Sequence, residues 1–239
     1  MNNEQLKSKK MVSFFEDDEL TNGFDQDKPN IKINPLSLFD GKAAVINNLL
    51  SDVELDLLLK SYSESTVEAS KTGNNGYVGS YKDGEKVHSL RKTLFSDKLA
   101  DILYNRIKDS LVEVEYENKK YTPIGINPAF RFIEYMDNGY LVPHYDFPYV
   151  KNDKELTLKS MVINLLDSSA KTLFVKDSRP NFGSFKDLDR PPTNDEIIDE
   201  VESKRNNVLL FDHNIFHSGS DGTKKIIIRT DVLYSEVNV

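Results

Sequence analysis

The chain has 239 residues, with 31 basic and 39 acidic side chains, a formal net charge of −8, 38% hydrophobic and 10% aromatic content, the size and composition of one ordinary globular domain. It has no cysteine, which excludes disulfides, zinc–thiolate sites, iron–sulfur clusters and cysteine nucleophiles; a metal must be held by His, Asp and Glu, a donor set suited to iron(II), manganese or zinc. No basic cluster is long enough to follow a phosphate backbone, no apolar run reaches the ~18 residues of a membrane span, and the start MNNEQLKSKKMVSFFEDDEL lacks the apolar core of a secretory signal, so neither nucleic acid nor membrane is expected as a partner and the expected location is cytoplasmic.

Residues 1–30 are polar and charged, punctuated by Gly23 and Pro29, and read as a flexible arm; residues 31–239 read as a single domain without internal repeats. Ser51 and Glu54 form a capping-box pattern ahead of Leu55, Leu57, Leu58 and Leu59, predicting a helix over 52–63. KTGNNGYVGSYKDGEK (71–86) reads as loop or hairpin. Ser96 is a second cap, followed by Leu99, Ile102, Leu103, Ile107 and Leu111 at helical spacing.

From residue 128 the period changes to two. In AFRFIEYM, Arg131, Ile133 and Tyr135 share one face and Phe130 and Phe132 the other; Asp137-Asn138-Gly139 is a turn signal. Further strands are expected at 140–146, 158–166, 171–175, 207–212 and 224–234. Residues 176–205, with Pro180, Pro191 and Pro192, interrupt the series of strands, with a short helix expected after Thr193, where Thr193 and Glu196 repeat the box pattern. Helices followed by a run of strands give an α+β, mainly β layout.

The four histidines are His88, His144, His213 and His217. In Pro-His-Tyr-Asp, strand periodicity points His144 and Asp146 to the same side, and a third ligand from a distant strand completes a facial two-histidine, one-carboxylate set with positions left open, the arrangement of oxygen-activating non-haem iron(II). Alone, His-x-Asp is a weak signal, since a satisfied core or surface histidine gives the same pattern. His213 and His217 both compete for the third position. Arg229 stands in the apolar run Ile226-Ile227-Ile228-Arg229, where burial is costly unless an anion meets it; its fork suits a carboxylate, and Asp231 on the same strand face is the structural alternative.

Two segments, FRFIEYMDNGYLVPHYD (130–146) and LLFDHNIFHSGSDGTKKIIIRTDVLY (209–234), and more weakly NNLLSDVELDLLL (47–59), resemble the 2-oxoglutarate/iron(II) dioxygenases, in particular the prolyl 4-hydroxylase-like branch. The resemblance spans about residues 40–236. It implies a double-stranded β-helix (a jelly-roll, cupin-like core) backed by N-terminal helices. Within that fold residues 176–205 would be an inserted loop, either a lid or a solvated, mobile insertion. It implies that His144, Asp146 and His217 hold Fe(II), His217 being chosen over His213 because it precedes Ser218-Gly219, and that Arg229 binds the far carboxylate of 2-oxoglutarate with Tyr135 assisting. Tyr145 and Phe147, alternating with the ligands, are expected to pack in the core. Ser168-Ser169-Ala170-Lys171-Thr172 replaces the family's Gly-rich stretch, a departure on the substrate side, where Arg131, Arg91 and Tyr81 are the candidate contacts.

The chemistry implied is consumption of O2 and 2-oxoglutarate, with ascorbate as reductant, and hydroxylation of an unactivated C–H bond. A prolyl or other residue in a peptide is the first substrate reading. The second is a free amino acid or small metabolite undergoing hydroxylation, desaturation or ring closure. A reading of another class is a jelly-roll binding module without catalysis.

Overall fold

The structure, a computed structural model, describes Phe24 and residues 29–36, 39–64, 88–177 and 190–237. In chain order these residues form strands β1 (Lys32–Pro35) and β2 (Ala43–Asn47), helix α1 (Asp52–Glu64), strand β3 (Ser89–Phe95) and helix α2 (Asp97–Ile107). Strands β4 (Val114–Tyr116), β5 (Lys119–Ile126), β6 (Ala129–Tyr135), β7 (Leu141–His144), β8 (Glu155–Asn164), β9 (Ser168–Val175), β10 (Ile197–Ser203), β11 (Asn207–Asp212), β12 (His217–Gly219) and β13 (Lys225–Glu236) follow. The segment 71–86, expected as loop or hairpin, lies outside the described residues.

Both helix starts are closed as their sequences indicate. Ser51 N–H donates to Glu54 Oε2 (2.7 Å) and Glu54 N–H to Ser51 Oγ (3.3 Å), while Leu99 N–H donates to Ser96 Oγ (3.0 Å). Such a cap contributes about 1 kcal/mol. Leu55 and Leu58 of α1 and Leu99, Leu103 and Ile107 of α2 are buried against the larger sheet, at roughly 1.5–3 kcal/mol each before entropy. Packing therefore outweighs capping in holding the helices, and the caps decide where they begin. Glu54 and Arg106 join the helices through a buried ion pair of 2.5 Å. Phe24, in the segment expected as an arm, is buried in the same cluster.

Two antiparallel sheets face each other. The larger runs β1-β2-β11-β8-β13-β5-β4, and the first part of β13 also pairs with β6, which pairs with β3. The smaller runs β10-β9-β12-β7. This is the double-stranded β-helix. Period-two alternation sorts the chemistry: Phe130, Phe132, Ile226 and Ile228 pack on the helices, while Ile133, Tyr135 and Ile227 pack between the sheets. The turn between β6 and β7 has Asn138 at φ 56°. A Cβ at Gly139 would lie 2.3 Å from the His88 carbonyl oxygen, so only glycine lets β7 start so close to β3.

Two expectations need correction. No helix follows Thr193: the residues after it turn, and β10 begins at Ile197. Glu196 does accept from Thr193 N–H (2.8 Å), but its carboxylate is also gripped by Arg190 (2.7 Å to each oxygen), and the box closes a turn. Beyond it, Val201 and Ser203 turn inward while Ile198, Glu200 and Glu202 face out, a strand alternation with no helical stripe. The segment 176–205 is accordingly not all insertion, because its last part is a strand hydrogen-bonded to β9.

Candidate metal centre and its pocket

His144 ends β7 and His217 begins β12. These strands are neighbours and the two histidines are register partners, with ring centroids 4.3 Å apart. Asp146 lies two residues on in extended chain, so its side chain returns to the same side. Its Oδ1 is 3.8 Å from His144 Nε2 and its Oδ2 3.7 Å from His217 Nε2; one ligand atom from each residue falls within 4.8 Å of the others.

Each imidazole is oriented by its own strand. His144 Nδ1 lies 2.9 Å from the Val142 carbonyl oxygen and His217 Nδ1 2.9 Å from that of Ile215. A neutral ring donating from Nδ1 presents the Nε2 lone pair, and both Nε2 atoms face Asp146. Phe211 packs edge-on against His217 at 4.5 Å. Ser160 donates its hydroxyl to Asp146 Oδ2 and Arg229 Nη2 lies 3.0 Å from Oδ1, so both oxygens of the carboxylate are held. Two neutral imidazoles and a carboxylate on one face, without sulfur, could hold a divalent first-row ion such as iron(II), and the orientation of all three donors from behind is the support a metal site needs.

Burial pushes both histidines down to about 4, for His144 with the neighbouring His217 acting in the same direction. The unfolded chain takes up these protons near pH 6.5 and the folded chain does not. The stability this represents is therefore full above the unfolded value and is lost as pH falls from about 6.5 toward 4, on the order of 3 kcal/mol per ring. Urea denaturation of metal-free protein should show the loss between pH 7 and 4.5. A pH dependence no steeper than that of the H144Q/H217Q double variant would count against it.

The triad opens on a cavity of about 560 Å³ between the sheets, lined among others by Arg91, Arg131, Tyr135, Thr172, Lys225 and Arg229. Arg229 stands beside the triad. Its Nη2 lies 3.0 Å from Asp146 Oδ1, 2.9 Å from Asp231 Oδ1 and 3.2 Å from Ser160 Oγ. Its charge is shared by two carboxylates, Asp146 and Asp231.

A second cation of β13 on the same face is Lys225, about 13 Å along the strand from Arg229 at 3.3 Å per residue. It is buried, lines the cavity and is the register partner of Tyr135. Burial alone pushes its ammonium down to about 8. Tyr135 is buried beside it, its phenol pushed up to about 12 by burial. Sequence reasoning missed Lys225. The available signal was the alternation Lys225-Ile227-Arg229, which puts both cations on one face.

His213 stands apart from the triad, its Nε2 3.3 Å from Asp231 Oδ1. Arg91 and Arg131 line the cavity and Tyr81 lies outside the described residues. Phe147 does not pack in the core, whereas Tyr145 packs, partly buried, against the cluster of Leu173, Val175 and Phe216, its ring centroid 4.8 Å from that of Phe216. Phe147 is 41% exposed, and both residues line the cavity. Tyr145 donates its hydroxyl to Asp177 (3.0 Å).

No known family profile matches the chain, and no curated protein sequence matches it. Solved structures do match. OsALKBH1 superposes with TM-score 0.53 at 12% identity, covering 80% of this chain and 97% of that one. The epimerase SnoN, in complex with Fe3+, alpha ketoglutarate and nogalamycin RO, gives TM-score 0.51 at 12% identity, covering 81% and 78%. The viral collagen prolyl hydroxylase vCPH from Paramecium Bursaria Chlorella virus-1 gives 0.46 at 16% identity, covering 82% and 97%. At such identities the shared property is the fold. Among the described residues no helix is long and apolar enough to cross a membrane.

Proposed function

We propose that the chain is an iron(II)- and 2-oxoglutarate-dependent dioxygenase that hydroxylates an unactivated C–H bond of an amino-acid-like substrate, either a residue in a peptide, proline being the first to test, or a free amino acid or related metabolite. The observation that carries this reading is the buried convergence of His144, Asp146 and His217 on a cavity that also holds a buried ammonium, Lys225. SnoN, which shares the fold, is named for dependence on alpha ketoglutarate and binds it with iron.

In this reading His144, Asp146 and His217 hold the iron, and Lys225 with Tyr135 holds the far carboxylate of 2-oxoglutarate. Thr172 contributes a hydroxyl to the same cavity. A buried ammonium needs an anion, and the co-substrate supplies one. Arg229 steadies Asp146, and its own buried Nε, which meets no acceptor among the described residues, is available to a bound carboxylate. When bound, iron and 2-oxoglutarate supply the oxidising power, coupling decarboxylation of the keto acid to succinate with transfer of one oxygen atom of O2 to a C–H bond. The protein's share is orientation and exclusion of water, for which Ile133, Val162, Phe211 and Ile227 form an apolar wall.

The test is anaerobic addition of Fe(II) and 2-oxoglutarate, watching for the weak visible charge-transfer band of the chelate, followed by succinate release in air. A band and O2-dependent succinate are expected. If neither appears, a non-catalytic barrel is left as the reading.

A further inference from the structure

The wall of the cavity made by β3 and β6 carries a second set of cations. Thr93 is the register partner of Arg131, and Arg91 that of Ile133. Arg91 and Arg131 are therefore diagonal neighbours on one face, with Cβ atoms about 7 Å apart, and both guanidiniums can reach one anion. Arg91 is held below its usual range by burial and then by the charge of Arg131, so the two cations oppose each other inside the barrel.

The surrounding charge sharpens the point. The chain as a whole is strongly acidic, with net charge −8. Yet the cavity is lined by four cations, Arg91, Arg131, Lys225 and Arg229, and by a single carboxylate, Asp146. Asp231, which meets Arg229 at 2.9 Å and Arg131 at 3.8 Å, adds a second. A divalent metal and the 2-oxoglutarate dianion cancel each other and leave the cavity net positive among the described residues. Two adjacent guanidiniums on one wall of a cavity offer a fork-shaped set of donors matched to an oxyanion. The cavity is of a size that encloses a drug-like molecule, so a second small molecule fits beside a five-carbon acid. Tyr145, Phe147 and Tyr149 also line it, offering apolar surface to the body of such a molecule.

Resting on the oxygenase reading, we infer that the substrate is a small organic anion whose carboxylate or phosphate is gripped jointly by Arg91 and Arg131, with Thr93 between them, while its carbon skeleton lies toward the triad. The grip is bidentate in kind and selects for an oxyanion. A capped peptide without an acidic group is not a substrate on this reading.

The test uses the full chain and three arms. Free L-amino acids are compared with their C-terminal amides, phosphoserine with serine amide, and a prolyl peptide capped at both ends is tested alone. Binding is read by calorimetry on protein loaded with Fe(II) and 2-oxoglutarate under anaerobic conditions, and turnover by substrate-stimulated succinate release. At least one anionic compound should bind and stimulate while its neutral counterpart does not; the carboxylate and phosphate arms tell the two oxyanions apart. Arg91→Leu and Arg131→Leu should each weaken that binding by about 30-fold or more, while the Fe(II)–2-oxoglutarate band remains. Stimulation by the capped peptide or by neutral amides, and not by anions, overturns the inference. Loss of the band in either variant also overturns it, because the pair would then be holding 2-oxoglutarate. Absence of the band in the unmodified protein removes the oxygenase reading itself, a distinguishable failure.

Discussion

Asp146→Ala is expected to eliminate the Fe(II)–2-oxoglutarate band and to lower succinate release by at least about 10³-fold, because it removes one of three donors at the metal; loss of a mere supporting contact costs about 10–100-fold. The side chain occupies a demanding place. It accepts from the Ser160 hydroxyl, meets Arg229 at 3.0 Å and lies within 3.8 Å of both imidazole Nε2 atoms. Removing it leaves the Arg229 guanidinium with Asp231 as its carboxylate, so some loss of stability should accompany the loss of metal. His213→Ala separates the two effects. His213 is as buried as the triad, but its Nε2 meets Asp231 and not the centre, so this variant should keep the band. If His213→Ala lost iron and His217→Ala retained it, the third donor would have been misassigned.

Lys225→Met should weaken 2-oxoglutarate binding by roughly 10²–10³-fold, as expected when one member of a buried charge pair is removed, with little change in metal affinity. The same substitution should make the cofactor-free protein more stable. At pH 7 the ammonium is charged and desolvated: its folded value near 8 lies below the usual 10.5, and the charged form is penalised by a few kcal/mol. Methionine keeps the length of the side chain and removes that cost. In the unmodified protein the penalty should fade as pH rises from about 8 to 10.5. A lysine that merely packs would raise stability on substitution and leave 2-oxoglutarate binding alone. Arg229→Met tests the competing assignment. It should disturb the metal site through Asp146, and a pure loss of 2-oxoglutarate affinity with an intact metal site would restore Arg229 as the anchor.

The relation of these two cations shows where a sequence stops being informative. Alternation along β13 and β6 separates the faces without ambiguity: Lys225, Ile227 and Arg229 share one side with Tyr135, Ile133 and Arg131. Which of the two cations lies beside Asp146 depends on how β13 is registered against β7 and β12, strands of the other sheet. Nothing local encodes that offset. The same limit explains β10. Thr193 and Glu196 carry a helix-start pattern, and only the partner strand β9, together with Arg190 on the Glu196 carboxylate, commits the following residues to a strand.

By itself the sequence determined what depends on neighbours in the chain. It set the helix starts at Ser51 and Ser96, through side chains that reach amides three residues away. It paired His144 with Asp146 through the two-residue repeat of extended backbone, and left only nitrogen and oxygen donors for a metal in a chain without cysteine. Tertiary structure alone decided how His217, singled out over His213 by its resemblance to a family motif, meets that pair, that Arg229 is drawn to Asp146, and that Lys225 is a buried charge farther along the same strand. These are matters of distance across the barrel, where desolvation and Coulomb attraction act between residues that a linear chain keeps tens of positions apart.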